Sequence, residues 1–68
     1  MNYCKYENTF NDIERLEIAD RVEAYELIDK LSPREARFCA YVIELCKKIA
    51  DNYSDEDIKA LKNKEKEQ

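Results

Sequence analysis

The sequence predicts an all-α fold: an antiparallel hairpin of two long helices with a short C-terminal helix, suited to self-association. Three observations point there. The 68 residues include no Gly and one Pro, which removes the usual residues of hairpins, barrels and phosphate loops. Residues 32–53 carry a helix start signal followed by apolar residues at helical spacing. Apolar residues of the first half wrap further around a helix than a two-helix hairpin uses, which leaves surface for another copy or another protein. The length allows one domain, residues 1–68. A chain this short buries only about 60% of its unfolded surface, so association would stabilise it.

Residues 1–8 read as an N-terminal arm. Tyr3, Cys4 and Tyr6 alternate loosely with polar residues, and an arm laid across the helices suits them better than an isolated strand. Asn8 or Thr9 then offers a helix cap, with Asp12 favourable in the first turn. From Ile13 to Leu31 apolar residues recur every third position: Ile13, Leu16, Ala19, Val22, Tyr25, Ile28 and Leu31. An acid follows each but the last. On an α-helix a three-residue step slides the stripe by about 60°. Phe10, Ile13 and Leu16 therefore share a face with Ala24, Leu27, Ile28 and Leu31, while Ile18, Ala19, Val22 and Tyr25 point mostly the other way. Two arrangements fit: one long helix touching different neighbours along its length, or two helices with a break near Glu17 to Asp20. No helix-breaking residue stands there, and the long helix is the preferred reading.

Lys30-Leu31-Ser32 is a short link, which makes the two long helices antiparallel neighbours. Ser32-Pro33-Arg34-Glu35 opens the second of them. Ser32 is a capping residue, Glu35 can complete a capping box, and Pro33 occupies the first helical position, where its missing N–H is no loss. Phe38, Cys39, Val42, Leu45, Cys46, Ile49 and Tyr53 fall on one face and read as core or interface. Ser54 caps a third helix with Asp55, Glu56 and Asp57 in its first turn. Ile58 and Leu61 are its apolar anchors and support one to three turns. Residues 62–68 are a charged, frayed tail.

The chemistry available is narrow. His is absent, which removes histidine general bases, Ser/His and Cys/His nucleophilic pairs and most catalytic zinc sites. The three cysteines show no metal-ligand spacing. Cys39 and Cys46 lie two turns apart on one helix, too far for a disulfide; all three cysteines read as reduced. No metal, cofactor or enzymatic activity is expected. No apolar run is long enough to span a bilayer and no signal peptide is visible, which points to the cytoplasm.

The formal net charge is −4, which disfavours binding to a nucleic-acid backbone and suits a basic protein partner. Glu14, Glu17, Asp20, Glu23, Glu26 and Asp29 form an acidic band along the first helix that could imitate a phosphate track and enter a basic groove. This band is the candidate contact surface. The alternative is a nucleic-acid patch of Arg34, Arg37, Lys47 and Lys48, diluted by Glu44 and Asp51. Asp55-Glu56-Asp57, at the start of the next helix, would be repelled by phosphate.

Two resemblances add to this reading. Leu31-Ser32-Pro33-Arg34-Glu35 with Arg37-Phe38-Cys39 is similar to the opening of phage terminase small subunits, commonly Leu-Thr-Pro-Lys-Gln followed by an Arg-Phe pair. It implies a DNA-binding packaging or regulatory adaptor. Tyr6-Glu7-Asn8-Thr9-Phe10 with Asp12-Ile13, then Leu31-Ser32, Ile43-Glu44-Leu45-Cys46 and Ile49-Ala50 to Tyr53, resembles short helical proteins of bacteriophages and mobile elements. That likeness implies a bacterial host and a small acidic protein that inhibits or redirects host machinery, CRISPR and other defence systems included. The expectation is thus a non-enzymatic, homodimeric protein-binding module; the alternatives are the DNA adaptor and a purely structural oligomerisation element.

Overall fold

The longest uninterrupted helix is the one with the strongest start signal. In the computed structural model, which describes residues 4–64, α3 runs over Pro33–Asp51. Pro33 is its first residue, as the spacing of Ser32, Pro33 and Glu35 predicts. Nineteen residues give a rod about 28 Å long. It closes with i→i+3 bonds from Asn52 N–H to Ile49 O (3.1 Å) and Tyr53 N–H to Ala50 O (3.3 Å), the tightened last turn by which a helix end satisfies its carbonyls. Ser54 is extended and caps α4, Asp55–Asn63. Its Oγ accepts from Asp57 N–H at 3.1 Å, and Asp57 Oδ2 accepts from Ser54 N–H at 3.0 Å. The expected capping box is present, and the two and a half turns of α4 fall within the expected length. Lys62 and Asn63 are still helical; the rest of the expected tail, residues 65–68, lies outside the described residues.

The N-terminal half departs from its prediction. Helix α1 covers Lys5–Glu14, so residues 5–8 are helical where an extended arm was expected; residues 1–3 lie outside the described residues. Asn8 and Thr9 are interior to the helix and do not cap it. Cys4 precedes it, with no side-chain cap, and its carbonyl accepts from Asn8 N–H at 2.8 Å. Glu7 in the first turn suits the helix dipole.

A single helix through residues 10–31 is not formed. After Arg15 the chain is extended at Leu16, makes a 3₁₀ turn over Glu17–Ala19 against α1, and is extended again at Asp20 and Glu23. Helix α2 covers only Ala24–Lys30. The expectation of two long helices therefore holds for one of them, and the hairpin of two long helices falls with the other. The three-residue period explains the break. On a continuous helix, Ile18 and Val22 would face away from Ile13, Leu27 and Leu31. With the turn in place all five are half-buried. Sheltering these side chains offsets the helical hydrogen bonds that the break gives up.

Two units are separately compact, Met1–Ser32 and Pro33–Gln68. Among the described residues of each, none twelve or more apart approach within 8 Å at Cα. Among the described residues no side chain is buried. Each unit is thus helical by local bonding, without a core of its own. Replacing Ser54 by Ala should cost α4 about 1 kcal/mol, visible as faster hydrogen exchange at the amides of residues 55–58. Unchanged exchange would mean that the cap does not hold the helix.

Candidate functional site

An open apolar stripe lies along α3. Phe38 is 45% exposed, Leu45 56%, Ile49 50%, and Tyr53, just past the helix, 54%. Cys39 and Val42 are half-buried and Cys46 is exposed. The stripe expected from the sequence is in place, but in the single chain it is not a core, and Cys39 and Cys46 are not core fillers. All three cysteines are free. Near its end Asn52, Tyr53, Asp57, Ala60, Leu61 and Lys64 line an open groove of about 420 Å³ between the end of α3 and α4.

Around Phe38 the structure gathers a cluster that the sequence reading divided between two faces. The guanidinium of Arg34 lies 5.4 Å from the ring centroid and that of Arg37 5.7 Å. The Tyr41 ring meets it edge-on, at 5.5 Å and 83°. Such contacts contribute on the order of 0.5–1.5 kcal/mol each. Tyr41 stands outside the stripe that the sequence marks as core or interface. The signal available was its i,i+3 spacing to Phe38, alongside the i,i+4 spacing of Arg34 to Phe38. Of the four predicted nucleic-acid contacts, Arg34 and Arg37 are therefore brought together. Lys47 and Lys48 sit about 15 Å further along the helix.

The acidic band is not a continuous spiral, because the helix that would carry it is broken. Glu14 ends α1, Glu17 opens the 3₁₀ turn, Asp20 follows it, and Glu23, Glu26 and Asp29 belong to the cap and body of α2. Three of these acids serve local structure. Glu23 and Glu26 form a capping box, with Glu26 Oε2 accepting from Glu23 N–H at 3.4 Å. Glu17 Oε2 accepts from Lys30 Nζ at 2.6 Å, tying the 3₁₀ turn to the last turn of α2. Glu14, Asp20 and Asp29 are the exposed acids outside these two features. Among the described residues no group of three or more Cys, Asp or Glu is placed to hold a metal ion. No helix among the described residues is long and apolar enough to cross a membrane. Comparison of the chain with known protein families, curated proteins and solved structures gives no match.

The Glu17 hydrogen bond, and then its charge, raise the pKa of Lys30 above the ordinary lysine value. A raised lysine pKa contributes stability that is fully present below the unfolded value and is lost as pH rises through the folded one. The tie should therefore hold through neutral pH and loosen only in the strongly alkaline range. Glu17→Gln should move the Lys30 titration, followed by its ¹³Cε shift, back down to the ordinary value; an unmoved titration would place the cause elsewhere.

Proposed function

We propose that this chain is a non-enzymatic protein-interaction module that completes its fold on assembly, through self-association, and that presents acidic side chains of its N-terminal half to a basic protein. One observation carries the reading: no side chain among the described residues is buried, while thirteen large apolar residues are exposed. Folded chains of this size need a core, a staple or a partner to offset conformational entropy. The three cysteines are free and thus supply no disulfide staple. Large exposed apolar patches mark interaction surfaces. The resemblance to short phage and mobile-element proteins supports a setting in a bacterial cytoplasm, with a host nucleic-acid-handling or defence protein as the target, as an anti-CRISPR would have.

Glu14, Asp20 and Asp29 are the acids best placed to meet such a target. Glu23 and Glu26 maintain the start of α2, so reversing their charge would disturb the fold and the contact together. Reversing Glu14, Asp20 and Asp29 to Lys should weaken binding to a lysine-rich probe peptide at least tenfold while helicity is retained. The wild-type binding should also weaken with salt. Equal binding by the triple variant would remove the acidic surface from the proposal. Self-association has its own test. Mass by light scattering should rise above 8.1 kDa with concentration, and helicity should rise with it; a chain that stays at the monomer mass and folded at all concentrations would refute assembly.

A second reading, a DNA-binding adaptor, is favoured by the convergence of Arg34 and Arg37 on Phe38. It requires salt-sensitive retardation of duplex DNA that disappears when both arginines become Ala.

A further inference from the structure

Phe38, Val42, Leu45 and Ile49 are separated by four, three and four residues. That is the alternation of d and a positions in a heptad, and all four lie within α3. Val42 and Ile49 take the a positions; Phe38 and Leu45 take d. Cys39 and Cys46 flank the seam at e, and Arg34, Tyr41 and Lys48 flank it at g. Glu35 at the preceding a position and the end of α3 at Asp51 bound the apolar seam to two heptads.

We propose that a second copy of this chain covers the seam, with the two α3 helices parallel and in register. The proposal rests on the self-association reading above and specifies its geometry. Phe38, Leu45, Ile49 and Tyr53 are about half exposed, and with the flanking cysteines the stripe offers on the order of 500 Å² per copy; two copies remove at most about 1,000 Å², the lower bound of a specific interface. The sorting of residues sets the direction. In a parallel pair each layer joins like positions, a with a and d with d. β-Branched side chains suit the a layers of a two-stranded coil, and Leu suits the d layers. Val42 and Ile49 are sorted from Phe38 and Leu45 in this way. In an antiparallel pair every layer mixes a with d, and the sorting has no consequence. The flanks agree with the parallel pair. Within α3 each g residue then lies beside the e residue five positions on in the other copy: Arg34 by Cys39 and Tyr41 by Cys46. No like charges meet in these pairs.

Disulfide mapping on the full-length chain tests the register. In a background with Cys4, Cys39 and Cys46 replaced by Ser, Ile49→Cys should oxidise to a 49–49 link in most of the protein, with the mass doubled from 8.1 kDa. In an antiparallel pair residue 49 faces residue 38, about 16 Å from its own counterpart, beyond disulfide reach. The unsubstituted chain gives the complementary readout and needs no variant to fold. An antiparallel pair sets Cys39 beside Cys46 of the other copy, and mild oxidation links them. A parallel pair keeps them on opposite flanks, and that link is missing. A dimer with the 39–46 link and no 49–49 link overturns the register but leaves self-association standing. A mass of three or more copies overturns the pairing. A chain that stays at the monomer mass, with its helicity intact, overturns both.

Discussion

The open stripe of α3 is the constraint on which the rest depends. A helix of nineteen residues lies close to the length at which an isolated helix is marginal in water, because nucleation is unfavourable and each further residue adds little. Helices of this kind persist when an apolar face is covered. Phe38, Leu45 and Ile49 are about half exposed, so much of the hydrophobic term that should hold α3 is still to be realised in the single chain. The local devices around it are those a helix can use alone: Pro33 at its first turn, the Phe38–Tyr41 ring contact, two guanidiniums over Phe38, and the Ser54–Asp57 box that starts the following helix. Each is worth on the order of 1 kcal/mol. They specify where helices begin and end, while the covering of the stripe decides how firmly those helices are held.

The N-terminal half meets a different constraint. Its apolar residues recur every three positions, and no α-helix can keep that period on one face. The chain resolves the conflict with a 3₁₀ turn and extended residues at Leu16, Asp20 and Glu23, which shelter Ile13, Ile18, Val22, Leu27 and Leu31 to a similar degree. The acids between them are then drawn into local service. Glu17 meets Lys30, and Glu26 reaches back to the Glu23 amide. A row of carboxylates evenly spaced in sequence is thus divided among α1, the 3₁₀ turn and α2.

These two halves differ in legibility for a physical reason. In residues 33–63 each signal is local and unopposed. Pro33 can occupy only a first turn, Ser54 and Asp57 satisfy each other across three residues, and the 3.6-residue spacing of Phe38 to Ile49 is interrupted by no Gly or Pro. Reading along the sequence finds such elements to within two residues. Between residues 10 and 31 propensity and periodicity disagree. No residue there breaks a helix, which favours one long helix, while the three-residue period, which fits one helix or two, keeps no single face apolar. The break prevails, because sheltering five aliphatic side chains outweighs a few helical bonds that water can replace. The Arg34–Phe38–Tyr41 cluster was missed for a simpler reason. Assigning each residue to an apolar or a polar face hides contacts across the boundary between faces, where long cationic side chains lie over rings.

Under the proposed self-association, marginal local structure and an uncovered seam together link folding to assembly. Anything that binds the folded helix and not the unfolded chain raises its stability by mass action, so concentration becomes a determinant of structure. For a chain with no buried side chain among its described residues, that linkage is the main available source of stability. It also separates two roles that a small protein often has to combine. The seam of α3 can be committed to assembly, while Glu14, Asp20 and Asp29, which serve neither the α2 cap nor the Lys30 tie, remain exposed for a second contact. Pairing two copies would double that acidic surface, and two weak contacts made by one particle can exceed either alone by orders of magnitude when their spacing fits the target. A module of 68 residues can then reach useful affinity through modest charge contacts, provided that the seam assembles first.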